Sequence, residues 1–589
     1  MRVLLSGLLL VGIAGFGSGV LSLGLVSPLP GQEDNRLVAT SLEEPANQGK
    51  AKSTPSPRGH NRILFVSDPS SVAIGLLPDP VEEQHLRRWV NMLADSGVDL
   101  FNQEIYSQGW TEYWKSRSFD YDQRTQHRRF LPMIESGTQP VEVLIDQSHK
   151  RGMTFIAGFR VNDNHAYLAK KQGVRLAKFI EEHPEWRLKG FPDEAYYRLS
   201  APLDFSFQGP RDFFHSVIEE VVTRFDVDGI ELCFRDHGYF KHGTGRSRKK
   251  LMTGLVRRIR ATVNKAGESK GKRLLIGARV FPTLEECLFL GLDVATWISE
   301  GLLDYVSPQD VMYADFNVPF EEFAALTRDS KCMLYPAMLP WSSLRARIRL
   351  NQQPLTQSNQ RALAATMYGA GADGVAIYNH FTTMWHPPFY PQSLRFFREL
   401  RDPKRIAAGT RHYIFEPTWA DSEGFGLDKP STGFVKAQRV VLDRKKSKAR
   451  GTYEFRLFDD LSDCQATLTF RGFHLTANDK VAVTLNGHAV GDKAIGRTAS
   501  TGASRDQRSV SSDGRTYGLA PEEGRIEFRR ASKGALINRP DPVFSTRWFD
   551  LKGLPIRRGV NRLSITLTRS DPMVNASIVI DEVEIWVQP

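Results

Sequence analysis

Pro210-Arg-Asp-Phe-Phe-His-Ser-Val-Ile-Glu-Glu-Val-Val-Thr-Arg-Phe225 runs through Asp226-Val-Asp228 into Gly229-Ile-Glu-Leu-Cys-Phe234. In the first segment Phe214, Val217, Ile218, Val221 and Phe225 recur at helical spacing behind a proline that suits a first turn, so one stripe of a helix is apolar. The second segment is a short apolar run holding a single acid, Glu231, and it reads as a buried strand. A helix feeding directly into such a strand is one unit of a parallel sheet.

The unit repeats in both directions. A strand over residues 63–67 leads to a helix expected to have Asp79 as N-cap, Pro80 at its first position, Glu82 completing a capping box, and Leu86, Trp89, Val90 and Leu93 facing inward. Gly97 ends that helix, and residues 98–102 form a second strand running into Gln103 and Glu104. A helix over 140–151, closed by Gly152, precedes a third strand over 154–159. Later strands are expected at 274–278, 305–307, 332–335 and 374–378. Eight strand and helix units in roughly 340 residues predict an α/β fold, a (β/α)8 TIM barrel over 62–403. An open doubly wound sheet fits less well: no GxGxxG follows the first strand, and no GxxxxGK[ST] loop occurs.

Past Pro403 the helical period fades. A linker is expected over 404–435, followed over 436–589 by an all-β jelly-roll sandwich with strands near 452–457, 466–470, 481–485, 561–567 and 576–580 and a polar loop over 491–514. At the other end residues 3–26 are almost wholly apolar behind Arg2, as in a signal peptide or membrane anchor, and 27–61 read as a disordered linker. The expected location is therefore secreted or periplasmic.

Of the 589 residues 41% are hydrophobic and 25% charged, which excludes collagen-like, disordered and coiled-coil classes. The net charge of +11 favours acidic polymers as ligands, but the basic clusters at 246–250 and 444–448 lack interleaved aromatics, so no nucleic-acid partner is expected. Cys233, Cys287, Cys332 and Cys464 have no metal or redox spacing and read as small buried apolar residues. No GxSxG, HExxH or EF-hand pattern is present. No cofactor or metal is expected, a divalent ion on Asp163, His165 and Asp236 being the weaker alternative. The chain is expected to act as a monomer.

In a TIM barrel reactive groups project from the C-terminal ends of the strands. That rule selects Glu104; Arg160, Asn162 and Asp163; Glu231, Arg235 and Asp236; Gln309 and Asp310; and Tyr378, Asn379 and His380. Trp110, Trp114, Tyr313, Trp341 and Trp385 lie in nearby loops, where rings stack on sugar faces. Carboxylates with aromatic platforms point to carbohydrate. Glycoside cleavage needs two carboxyl groups, and Glu231 with Asp310 is the expected catalytic pair. Arg160 or Arg235 would hold one of them ionised. Glu104, Arg160, Asn162, Asp163, Arg235, Asp236, Tyr313, Trp341, Tyr378 and His380 are the expected substrate-binding set. The competing reading makes Glu231 a structural ion-pair partner and Asp310 a turn residue.

Asp228-Gly-Ile-Glu-Leu-Cys-Phe-Arg235, Gly301-Leu-Leu-Asp-Tyr-Val-Ser-Pro308 and Gly371-Ala-Asp-Gly-Val-Ala-Ile-Tyr378 resemble the fourth, sixth and eighth strands of secreted bacterial glycoside-hydrolase-like TIM barrels, in particular the glycosyl-hydrolase-like group compared with family ten. The resemblance spans residues 62–403 and implies a glycoside hydrolase. Members of that group commonly carry Asp two positions beyond the residue matching Glu231, and here Cys233 stands there. Residues 335–341, Tyr-Pro-Ala-Met-Leu-Pro-Trp, lack the acid that ends strand seven in the largest glycosidase clan, which leaves a pair from strands four and six. Residues 481–487 and 580–585 look like galactose-binding-type jelly-roll modules. Two functions are thus expected: an exported glycoside hydrolase acting on a polysaccharide or oligosaccharide, or a non-catalytic carbohydrate-binding barrel.

Overall fold

The structure, a computed structural model, describes residues 62–163, 165–189, 202–234, 238–309, 314–339, 355–378, 380, 389–415, 440–491, 494–500, 515–520, 525–530 and 544–589. Barrel strands and helices alternate as β1 (Arg62–Ser67), α1 (Glu83–Asp95), β2 (Leu100–Ser107), α2 (Pro140–Lys150), β3 (Thr154–Arg160), α3 (Gln208–Arg224), β4 (Gly229–Cys233), α4 (Gly245–Ser269), β5 (Leu275–Val280), α5 (Val294–Ser299), β6 (Tyr305–Pro308) and α6 (Phe320–Thr327). Two short pieces, Met333–Leu334 and Ala337–Met338, together make β7, and α7 (Gln357–Ala370) leads to β8 (Gly374–Tyr378).

Every barrel pairing is parallel, β1 lying between β2 and β8. The piece Met333–Leu334 pairs with β6 and the piece Ala337–Met338 with β8. Between them Tyr335 N–H donates to Val306 O at 2.9 Å, and Ala376 N–H donates to Pro336 O at 2.8 Å. One strand therefore joins both edges and the curled sheet becomes a ring, the closure expected of a TIM barrel. Helices cover the outside because their apolar stripes match the outward strand residues: Leu86, Trp89, Val90 and Leu93 of α1 are all buried.

Local details depart from expectation where tertiary bonds intervene. Helix α1 begins three residues later than Pro80 would set it: Glu82 is its N-cap and exchanges capping bonds with His85. Val81 N–H donates to Arg129 O at 2.9 Å, so the segment before the helix is tied to a distant part of the chain. Trp110 and Trp114, expected as rim platforms, are buried, and Trp114 Nε1–H donates to Glu220 Oε1 at 3.1 Å. None of the four cysteines is in a disulfide; three are buried, and Cys464 is half-buried.

The C-terminal region has two larger antiparallel sheets and a two-stranded one, Arg515–Ala520 with Arg525–Arg530. Of the larger sheets, one joins Arg411–Ile414, Val440–Leu442, Gln465–Phe473, Ala494–Ser500, Phe544–Asp550 and Ile578–Gln588; the other joins Arg450–Leu457, Lys480–Leu485, His488–Ala489 and Gly559–Arg569. Alternation sends Tyr453, Phe455, Leu457, Leu563, Ile565 and Leu567 inward. Two boundaries change. Part of the expected linker, Arg411–Ile414, pairs with the final strand, and Ala494–Ser500 of the expected loop is a strand. The sandwich is fastened to the barrel through Asn317, which gives its amide to Glu454 O and takes Arg456 N–H, and through Arg456 to Glu321 at 2.8 Å.

Candidate functional site

Strand alternation decides which side chains enter the ring. The register aligns Glu104 with Gly158, Gly158 with Glu231, Glu231 with Gly277, and Gly277 with Tyr305. Two glycines in this row leave room for large neighbours. A Cβ on Gly158 would lie 2.9 Å from Glu104 Cγ, and one on Gly277 would lie 1.9 Å from Tyr305 Cζ. Glu104 thus lies over Gly158, while the Tyr305 ring crosses Gly277 toward Glu231. A bulge just after Glu104 sets its strand apart from the regular ladder.

Two buried guanidinium groups organise this interior. Arg160 gives Nε–H to Glu104 Oε2 at 2.8 Å, Nη1 to Asp163 Oδ2 at 2.9 Å and Nη2 to the Tyr378 hydroxyl at 3.1 Å, and it also binds Asp68. Groups from β1, β2, β3 and β8 therefore meet on one side chain. Arg279 gives Nε–H to Glu231 Oε1 at 2.9 Å and Nη1 to Gln309 Oε1 at 3.0 Å, with a further bond to Glu231 from Nη2. The Tyr305 hydroxyl donates to Glu231 Oε2 at 2.9 Å. Tyr378 links the clusters, since the Arg279 guanidinium carbon stands 4.5 Å from its ring centre.

The carboxylates have been driven apart in acidity. Burial pushes Glu104 up and outweighs the Arg160 charge. Burial would also raise Asp68, but the Arg160 charge and hydrogen bonds from Ser71 overcome it and hold the group at about 2. Asp163 is held well below the usual range against its burial, by His165 and Arg160. Glu104 Oε1 is buried without a hydrogen-bond partner, whereas both oxygens of Glu231 are engaged.

The positions selected from sequence separate accordingly. Glu104, Arg160, Asp163, Glu231 and Tyr378 come together inside the barrel, all of them buried. Among the described residues the partner of Glu231 is Arg279 and not Arg160, which is occupied by Glu104, Asp68 and Asp163. Asn162 spends its amide on the backbone, donating to Leu203 O and Gly238 O and accepting from Leu203 N–H; it fastens two loops. His380 lies in the helix layer, its ring 4.9 Å from Phe397 and stacked on Tyr390. Asp310, Arg235, Asp236, Tyr313, Trp341, Asn379 and Trp385 lie outside the described residues. Asp68 and Arg279 were missed. Arg279 was signalled by its alternation with Gly277 on a strand that runs two residues further than expected, whereas Asp68 lies one residue past its strand, where sequence carries no directional signal.

Among the described residues four carboxyl groups, Asp68, Glu104, Asp163 and Glu231, surround two arginines. Among the described residues this interior is acid-rich although the chain is basic. Among the described residues Glu112, Asp122 and His127 are close enough to hold a metal ion. Arg124 already binds Asp122 at 2.6 Å and Glu112 at 3.1 Å in that buried group, so a guanidinium supplies the positive charge a cation would bring.

Residues 70–255 match the family described as glycosyl hydrolase-like 10. A glycosyl hydrolase, YngK of Bacillus subtilis (strain 168), is 26% identical over 223 residues, covering 31% of this chain and 41% of the relative. The chain thus matches about two fifths of that relative's length. Among solved structures, alpha-L-fucosidase isoenzyme 2 from Paenibacillus thiaminolyticus superposes with a TM-score of 0.38 at 12% identity, covering 60% of this chain and 51% of that one. The PgaB (BpsB) glycoside hydrolase domain from Bordetella bronchiseptica gives 0.38 at 11% identity, with coverages of 58% and 99%.

Proposed function

We propose that this chain, whose residues 70–255 match a glycosyl hydrolase-like family, is an exported enzyme that cleaves a glycosidic bond in a polysaccharide or oligosaccharide. Glu104 is the proton donor and Asp68 the ionised carboxylate. The observation that carries the assignment is the divergence of two carboxyl groups bound to the same guanidinium: burial raises Glu104 while Asp68 is held at about 2. Such a split is what acid and base roles require at one pH. Glu104 would protonate the leaving oxygen, and Asp68 would stabilise positive charge developing at the anomeric carbon or act on it directly.

Glu231 supports rather than donates in this reading, because Arg279 and Tyr305 occupy both its oxygens. Asp310 adjoins Gln309, which Arg279 holds, and is the further acid to test. The apolar run over residues 3–26 is the basis for export; among the described residues no helix is long and apolar enough to cross a membrane. The sandwich, fixed to the barrel through Asn317 and Arg456, would hold polymer beside it.

The second reading, a carbohydrate-binding barrel without catalysis, is favoured by the saturated Glu231 carboxylate and by Cys233 at the end of its strand. Reducing-sugar release from a glycan panel, measured alongside glycan binding, separates the two. Cleavage by the wild type, with Glu104→Gln reducing kcat by about 10²-fold or more while binding persists, is the expected result. Binding without release supports the second reading. Asp68→Asn, Glu231→Gln and Asp310→Asn rank the remaining acids.

A further inference from the structure

The third acid on Arg160 has a different partner from the other two. Asp163 Oδ1 accepts the backbone N–H of His165 at 2.7 Å and the His165 ring nitrogen Nδ1 at 2.5 Å. A turn of this kind needs only the backbone bond; the ring bond additionally fixes the imidazole. The carboxylate cannot swing away, because Gln108 Nε2 donates to Oδ1 at 3.1 Å and Arg160 Nη1 donates to Oδ2 at 2.9 Å. Its side chain is fully buried, while that of His165 keeps 16% exposure at the barrel mouth. An ionised carboxylate facing Nδ1 keeps the proton on that nitrogen and presents Nε2 as the basic one.

We infer that His165, oriented by Asp163, is a proton-transferring residue of the glycoside-cleaving site, Asp163 and Arg160 being its positioning residues. The inference rests on the proposed hydrolase reading and adds a participant to it. In the water-consuming step Nε2 accepts a proton from water as the water oxygen bonds to the anomeric carbon. In the bond-breaking step the glycosidic oxygen departs with the bonding pair and takes the proton from Glu104. Product release then leaves one proton on His165 and one missing from Glu104, and exchange with solvent restores both. Among the described residues the charged groups around the imidazole include Asp163 directly, Arg160 and through it Glu104 and Asp68, and Arg124, whose charge acts on Asp163.

The test compares full-length wild type, His165→Gln and Asp163→Asn. On a substrate that the wild type cleaves, His165→Gln is expected to lower kcat by about 10²- to 10⁴-fold with KM changed less than about threefold. In ¹⁵N spectra the wild-type ring is expected to carry its proton on Nδ1 and the Asp163→Asn ring on Nε2. An unchanged kcat in His165→Gln, while Glu104→Gln is inactive, overturns the dyad and leaves the hydrolase reading standing. A wild-type Nε2–H tautomer overturns it as well. A wild type that binds glycan and releases no sugar overturns both.

Discussion

The Tyr305 hydroxyl reaches Glu231 Oε2 at 2.9 Å by laying its ring over Gly277, where a Cβ would stand 1.9 Å from the ring carbon Cζ. Two strands thus deliver a carboxylate and its hydrogen-bond donor to one point because the strand between them has no side chain there.

Gly277→Ala should be strongly destabilising, since the Tyr305 ring or the β5 backbone must shift. Overpacking of this kind costs about 1–3 kcal/mol. Gly254, exposed on α4 with nothing within 4 Å of a built Cβ, is the control: Gly254→Ala should stabilise by about 0.5–1 kcal/mol through helix propensity. Urea unfolding of both variants checks the contrast.

Arg279→Met should cost about 3–5 kcal/mol by leaving Glu231 buried without its counter-charge. Adding Glu231→Gln should recover most of that loss, because the uncompensated charge disappears. A double-mutant cycle by chemical denaturation measures the coupling, and independent losses would refute the pairing.

Acid should weaken the fold through buried histidines. Burial holds His380 at about 3 and His127 at about 4, against 6.5 for an exposed ring. The unfolded chain therefore binds protons first. The stabilising contribution is complete above about 6.5 and is lost as pH falls toward 4 and 3, by up to about 1.4 kcal/mol per pH unit per group. His380→Gln should flatten the fall of Tm between pH 6 and 4.

Asp315 should act with the opposite sign. Burial raises it from 3.8 to about 6, against a backbone bond from Asn317 and the Arg456 charge. Its contribution is present below 3.8 and is lost as pH rises through 6. Asp315→Asn should therefore stabilise the protein by about 1 kcal/mol at pH 7 and hardly at pH 4, measured by denaturant titration at each pH.

The alternation of helix and strand was legible in single segments. Residues 210–234 contain an apolar helical stripe and a strand in immediate succession, and both formed as read, with α3 beginning two residues early. The failures share a cause. The segment before α1 is tied to Arg129 through Val81 N–H, and residues 411–414 became a strand because the chain's last strand lies beside them. Neither partner is near in sequence. The site shows the same division: Glu104, Arg160, Asp163, Glu231 and Tyr378 were picked out by their places at strand ends, but their pairings were not.

Local periodicity by itself specified eight strand and helix units, a following β module, and the acids and arginines that could face a barrel mouth, because hydrophobic spacing and strand alternation act over a few residues. Ring closure through 333–338, the joining of Glu231 to Arg279 instead of Arg160, and the gathering of Asp68, Glu104 and Asp163 on one guanidinium were decided only in three dimensions. Register between strands and the loss of water around buried charges depend on residues tens to hundreds of positions apart, and no local pattern encodes them.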